Sequence, residues 1–181
     1  MKRKGFTLVE LLIVIAILGT LSAMTTLSST NATASAEAAK IVNGLRMARS
    51  ATIMYYWDHP DLKGTAKAKW EDDIETKFGT EITDYLEATP EGDSTTNYSL
   101  KLLADAEADA PVASDATWYI GYELTATQNT TAVKNRLAGQ ATAYGLRTIA
   151  EEAVTTYAVD GDTAPTIYIV VRGTDLVNDG E

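Results

Sequence analysis

The N-terminal part of the chain contains a long apolar run with one carboxylate inside it. Three basic residues at positions 2–4 precede the run, which covers residues 6–24 and includes Glu10 near its start. As an α-helix, the run is just long enough to cross about 30 Å of hydrocarbon, and the basic residues would hold its N-terminus in the cytoplasm. Because a charge within a membrane helix costs roughly 2.5–3.5 kcal/mol on insertion scales, Glu10 requires a specific explanation.

Three interpretations of this segment treat Glu10 differently. An ordinary secretory signal would end in the small-residue stretch "NATASAEA" at Ala36, but the strongly apolar part already ends near Leu21. A plain membrane anchor leaves the carboxylate unexplained. Cleavage between Gly5 and Phe6 explains it, because the new terminal amine would lie one helical turn from Glu10 on the same face. Pairing of the two charges, within one chain or between neighbours, would fix the register of an assembly.

The stretch "KGFTLVELLIVIAILG" resembles the class III signal peptide of type IV pilins and type II secretion pseudopilins. The resemblance implies that a prepilin peptidase cuts after Gly5 and that Phe6 is then N-methylated. It also implies that Glu10 guides the docking of a subunit into a growing filament. The implied partners are other copies of the chain or a mixed filament, the peptidase, an inner-membrane assembly platform, and membrane lipid before assembly.

One departure from the resemblance concerns proline. Many pilins carry a proline at the position that Leu27 occupies here, and this chain has no proline before Pro60. Because proline kinks a helix, the helix is expected either to be straighter or to melt at Gly19 and the Thr/Ser cluster after it. The departure leaves room for a minor or accessory subunit.

Charge and composition argue against several other functions. The chain has 15 Lys and Arg against 25 Asp and Glu, a formal charge of −10, and loss of the three basic residues of the leader lowers this charge to −13. Such a surface repels phosphates, so we predict no nucleic-acid binding by the head. The chain has no cysteine and only one histidine, His59, in the predicted turn "WDHPD". Without a nucleophile–base pair or a phosphate-binding loop, we predict no enzyme.

The long helix is predicted to continue to about residue 57. The segment "TTLSSTNATASAEAAK" is interpreted as helix rather than as a disordered linker, because alanine is the best helix former. An apolar stripe then recurs at steps of four and three residues and is widened by Val42 and Tyr56. The stripe consists of Ala34, Ala38, Ile41, Leu45, Ala48, Thr52 and Tyr55. The predicted organisation is a leader (1–5), a transmembrane or filament-core half (6–27), an amphipathic half (28–57) and a globular head (58–181).

The predicted fold class is α+β and pilin-like, with a long N-terminal α-helix (about 6–57) packed on a small antiparallel sheet and extra helices in the head. The stretches "TWYIGYELTA" and "TIYIVVR" predict strands, and "YSLKLLA" predicts a short strand or helix. "TTAVKNRLAGQATAYGLRTIAEEAVTTY" predicts a helix with breaks at Gly139 and Gly145. A stripe at roughly helical spacing precedes them and consists of Trp70, Ile74, Phe78 and Ile82.

No cofactor is predicted, and calcium is the one metal that the sequence raises. Asp160 and Asp162 in "DGD" offer hard oxygen ligands, as do Asp175, Asn178 and Asp179 near the C-terminus. The resemblance adds that major pseudopilins often bind calcium near the C-terminus. The spacing of an EF-hand is absent, and Asp-Gly is also a common turn signal, so we favour a turn over a metal site.

Two classes of function remain open. The first is a structural subunit, a pilin or pseudopilin, that is processed after Gly5 and polymerises through its helix into a type IV pilus-like filament. Such a filament would serve adhesion, motility, DNA uptake or protein secretion, and a minor accessory pseudopilin of a type II secretion or competence machine is included. The second is a membrane-tethered binding domain that does not polymerise. The expected location is a single-pass precursor in the inner membrane, then an extracellular or periplasmic filament.

Overall fold

The computed structural model describes residues 6–86, 97–104, 111–150, 153–159 and 166–173. These residues form a long N-terminal helix, several shorter helices and a five-stranded antiparallel sheet. The predicted α+β, pilin-like fold is therefore confirmed. Asp160, Asp162 and the acidic residues from 174 onward lie outside the described residues, so the calcium hypothesis stays untested.

Helix α1 covers Leu8–Asp58, or 51 residues, which makes it about 77 Å long at a rise of about 1.5 Å per residue. The helix runs without interruption through Gly19 and the Thr/Ser-rich segment, so neither a linker nor a break occurs there. It ends at His59, whose φ of −116° and ψ of 69° are not helical. This non-helical conformation of His59 is expected, because a residue that precedes proline disfavours the α-helical region. Pro60 then begins a 3₁₀ helix, Pro60–Gly64.

The connection between α1 and the sheet is built from short helical pieces. After the first 3₁₀ helix come a second, Lys67–Lys69, a π-helix, Trp70–Glu75, the α-helix α2, Thr76–Glu81, and a last 3₁₀ helix, Ile82–Tyr85. The predicted stripe of this region is confirmed, because all four members are buried: Trp70, Ile74, Phe78 and Ile82.

The sheet contains five strands in the order β1-β2-β5-β3-β4, and every described pairing is antiparallel. Its strands are β1 (Tyr98–Leu103), β2 (Thr117–Glu123), β3 (Arg147–Ala150), β4 (Ala153–Thr156) and β5 (Thr166–Arg172). Both strands predicted from aromatic and β-branched residues are present, as β2 and β5. The ambiguous stretch "YSLKLLA" is a strand.

The predicted helix in the second half of the head is only partly correct. Helix α3 covers Thr131–Tyr144, passes through Gly139 without a break and ends at Gly145, whose φ is 65°. Glycine adopts this left-handed conformation at little cost, and the conformation stops a helix. The rest of the predicted helix is the hairpin of β3 and β4. The β-branched residues in "RTIA" and "AVTT" fit strands better than a helix.

The core lies between the second half of α1 and one face of the sheet. All nine predicted core residues of α1 are buried, from Ala34 to Tyr56. All of them except Thr52 pack in one cluster with side chains of the sheet that include Trp118, Ile120, Ile167 and Ile169. Along the described side chains of α1, Ala34 is the first buried residue. The N-terminal part of α1 thus lies beyond the head's core.

Candidate assembly segment at the N-terminus

The start of α1 presents apolar side chains on all sides. Every large apolar residue among positions 6–24 is exposed, from 48% for Val14 to 82% for Phe6. Soluble proteins rarely expose a continuous apolar surface of this extent, and such surfaces mark sites of contact with protein or membrane. We define residues 6–24 as the assembly segment. No helix in the described part of the chain combines the length and the apolar character that crossing a bilayer requires.

Glu10 takes part in a capping box at the start of α1. The Thr7 backbone N–H and the Thr7 hydroxyl both donate to Glu10 Oε2, over 2.9 Å and 2.7 Å. In return the Glu10 backbone N–H donates to Thr7 Oγ1 over 3.2 Å. Backbone donors at a helix start have no partner within the helix, and this arrangement provides partners for two of them. Glu10 Oε1 makes no hydrogen bond with any described residue.

The predicted processing site lies immediately before the helix. Gly5 is outside the described residues. Phe6 precedes the N-cap residue Thr7, which is extended at φ −81° and ψ 152°, and the helix begins at Leu8. The Phe6 side chain is mostly exposed. Phe6 and Glu10 are therefore close in sequence and on an accessible end of the molecule, while their roles in processing and assembly stay predictions.

The local partner of Glu10 was not predicted from the sequence. The carboxylate was expected to be unpaired until cleavage produces a terminal amine, whereas Thr7 already binds it. The pairing of Thr7 with Glu10 could have been predicted from the sequence, because Thr-x-x-Glu before an apolar run is the pattern of a capping box.

Among the described polar residues of the head, Tyr55, His59 and Glu81 lie close together at the end of α1. The predicted loop residue His59 directly follows α1, where its ring stacks on Tyr55 at 4.3 Å and its Nε2 lies 3.6 Å from Glu81 Oε2. Burial raises the pKa of Tyr55, and the nearby Glu81 carboxylate adds to this effect. In the described part of the chain, no three His, Asp or Glu residues are grouped so that they could hold a metal ion.

Comparison with protein families finds a match at the N-terminus of the chain. Residues 1–26 match the model of the prokaryotic N-terminal methylation motif. This match confirms the class III signal peptide of the type IV pilin and pseudopilin kind, and it supports a processed subunit of that kind with a structural role. The comparison with curated proteins and the comparison with solved structures each found no match.

Proposed function

We propose that this chain is a structural filament subunit, cleaved after Gly5, N-methylated at Phe6 and polymerised through α1. The proposal depends on one observation above all: the carboxylate of Glu10 lies within an exposed apolar helix, in a segment that matches a methylation motif and four residues after Phe6, the predicted first residue of the mature chain. The precursor is held in the inner membrane by the assembly segment. The mature chain then leaves the lipid for a pilus or pseudopilus.

The large exposed apolar surface of the assembly segment supports the proposal that lipid, and later other α1 helices, surround this segment instead of water. Burial of apolar surface contributes about 25 cal/mol per Å², so twelve large apolar side chains favour lipid or neighbouring helices over solvent. Lipid supplies these surroundings before assembly. Packed α1 helices of other copies supply them afterwards, and no other described part of the chain covers this segment.

The capping box supports a docking role for Glu10. Thr7 occupies Oε2 of the carboxylate and leaves Oε1 available. An ionised carboxylate accepts hydrogen bonds at about four lone-pair positions, so Glu10 can keep its own helix capped while it accepts the amine at Phe6 of a neighbour. In an apolar environment this charge pair is strong and leaves few alternative registers.

Two measurements test the proposal. Mass spectrometry of the mature protein is expected to find a methylated Phe6 as the first residue. In cells, Glu10→Ala is expected to be processed and stable but to abolish filaments. The matched control Glu123→Ala removes an exposed carboxylate from the end of β2 and is expected to assemble normally. A different mature N-terminus, or undiminished filaments with Glu10→Ala, would contradict the proposal and favour a tethered, non-polymerising domain.

A further inference from the structure

The last turns of α1, from Arg46 to Asp58, place positive and negative charge on different sides of the helix axis. Arg46 and Arg49 lie beside the end of α3 and strand β5. Asp58 is nine residues after Arg49, which at about 100° per residue places it about half a turn around the helix. The solvent-exposed part of α1 therefore has a basic edge and an acidic edge.

Two grooves lie along α1 and β5: Arg46 and Arg49 line one of them, and Tyr56, Trp57 and Arg172 line the other. Two of these cations lie over aromatic rings: Arg46 is 4.7 Å from the ring centre of Tyr144, and Arg172 is 4.2 Å from that of Tyr56. Lys63 adds a third cation, 4.6 Å from the ring centre of Tyr56. We define the basic groove as both grooves together, by their four cations and three rings: Arg46, Arg49, Lys63, Arg172, Tyr56, Trp57 and Tyr144.

The cations of the basic groove have no carboxylate partner among the described residues. Stacking on aromatic rings holds the side chains of Arg46, Lys63 and Arg172 in place, so these three side chains have little conformational entropy left to lose when an anionic group binds. Trp57, 67% exposed, adds an apolar surface at the edge of the groove.

The opposite edge of α1 carries an acidic flank with apolar surface beside it. Glu81 Oε2 lies 3.6 Å from His59 Nε2, and the ring centre of His59 lies 6.3 Å from that of Tyr85. Asp58 directly precedes His59 in the chain, and Asp84 directly precedes Tyr85. Burial raises the pKa of Tyr85, and the negative charges of Asp58, Glu81 and Asp84 raise it further. Only Glu81 has a basic neighbour in the described structure, His59. We define the acidic flank as Asp58, Asp61, Glu81 and Asp84, next to a shallow groove lined by Met47, Met54, Tyr85 and Leu86.

We propose that the basic groove of one copy binds the acidic flank of a neighbouring copy. This inference rests on the proposed function and specifies how the heads of the filament contact one another. An acidic protein repels its own copies, and the pairing offsets that repulsion with a local attraction. Because the two surfaces differ and lie on opposite sides of α1, the contact is heterologous and repeats along an open helical array.

A charge-swap experiment in cells tests the pairing. Arg46→Glu with Arg49→Glu, and separately Asp58→Arg with Asp84→Arg, are each expected to lower filament yield by about tenfold or more, because like charges then face each other across the contact. All four substitutions in one chain are expected to restore most of the yield, because the signs are then complementary again. The matched control, Lys134→Glu with Arg136→Glu on α3, changes the net charge equally outside the groove and is expected to assemble.

Cross-linking tests whether the two surfaces are neighbours in the filament without changing the charge of either surface. The chain has no cysteine, so Ala143→Cys beside the basic groove and Thr83→Cys beside the acidic flank create the only thiols. A short bismaleimide is expected to link filaments of this double variant into ladders, whereas either single variant, or Ala132→Cys with Thr83→Cys, should give none.

The outcomes separate the two proposals. If the wild type forms no filaments, the proposed function fails. If filaments form but the ladder is absent and the reversals have no effect, only the pairing is overturned. If neutralising Asp175, Asp179 and Glu181 reproduces the loss of filaments while reversal of Asp58 and Asp84 does not, the basic groove binds the C-terminal segment, which also overturns the pairing.

Discussion

Thr7 and Glu10 hydrogen-bond each other in both directions at the start of α1. The Thr7 hydroxyl donates to the Glu10 carboxylate over 2.7 Å, and the Glu10 backbone N–H donates to the Thr7 hydroxyl oxygen over 3.2 Å. The Glu10 carboxylate therefore has two hydrogen-bond donors from its own chain within the apolar segment. This reduces the cost of carrying a charge there before assembly, and it holds Glu10 in one orientation at the beginning of the helix.

The first prediction concerns Thr7. Thr7→Val keeps the shape of the side chain but removes the hydroxyl, so we expect the start of α1 to lose about 1 kcal/mol, as for other N-cap substitutions. Amide hydrogen exchange of the mature protein in detergent should then be faster over residues 8–11. Thr7→Ser retains the hydroxyl and serves as the control. Equal exchange in the two variants would show that the capping box does not stabilise this helix start.

The second prediction concerns the close approach of α1 to the head. Ala38 is fully buried, whereas Ala39 is exposed on the other face of the helix. Ala38→Leu forces extra volume into a packed core, which should lower the free energy of unfolding by about 1–3 kcal/mol. Ala39→Leu adds the same side chain to solvent and should change stability little. Thermal unfolding followed by circular dichroism gives the comparison, and an equal effect of the two substitutions would contradict the packing of Ala38 against the head.

The parts of the fold that could be predicted from sequence are those with a local pattern. The stripe from Ala34 to Tyr55 has helical spacing, and the stripe from Trp70 to Ile82 does too, so both faces could be identified before the structure. The hairpin of β3 and β4 was missed because its segment continues the composition of α3. The left-handed conformation of Gly145 ends α3 and allows the chain to enter the hairpin, whereas the sequence predicts Gly145 only as a break within a longer helix. The order of the strands depends on contacts between distant segments and has no local signal.

The same distinction applies to the candidate sites. A short sequence pattern contains Gly5, Phe6 and Glu10 and makes them candidates, and residues 1–26, which include this pattern, match the prokaryotic N-terminal methylation motif. The roles of the three residues stay predictions. The basic groove was not predicted, because Arg49 of α1 and Arg172 of β5 come onto the same side of the head only when β5 packs against α1. No local sequence pattern predicts the packing of β5 against α1.

The third prediction compares two glycines for which the same substitution has opposite effects. A Cβ at Gly121 in β2 would lie 2.5 Å from Cε1 of Tyr168 and 2.7 Å from Oγ of Ser99. Gly121→Ala should therefore destabilise the sheet, because the Tyr168 ring on the neighbouring strand must move. A Cβ at Gly139 in α3 would have no neighbour within 4 Å, so Gly139→Ala should raise stability by about 0.5–1 kcal/mol through helix propensity. Chemical denaturation of both variants measures the two signs, and a stabilising Gly121→Ala would contradict the strand register.

The fourth prediction concerns alkaline pH and Tyr157. Burial raises the pKa of Tyr157 to about 12, compared with about 10 in an unfolded chain. Between these values the unfolded state loses the phenol proton while the folded state keeps it, so the stabilising contribution is complete below about pH 10 and is lost as the pH rises toward 12. Tyr157→Phe removes this dependence, and we expect its melting temperature to fall less than that of the wild type between about pH 8 and about pH 11.

The neutral-pH behaviour of Tyr157→Phe provides an internal check on that prediction. Tyr157 Oη is buried without a hydrogen-bond partner among the described residues, so removal of the hydroxyl should leave stability at neutral pH unchanged or raise it by up to about 1 kcal/mol. Tyr144→Phe, on the exposed end of α3, is the matched control and should follow the wild type throughout. If Tyr157→Phe is strongly destabilised at neutral pH, the hydroxyl has a partner. If its melting temperature falls as steeply with pH as that of the wild type, ionisation of Tyr157 does not drive the alkaline loss of stability.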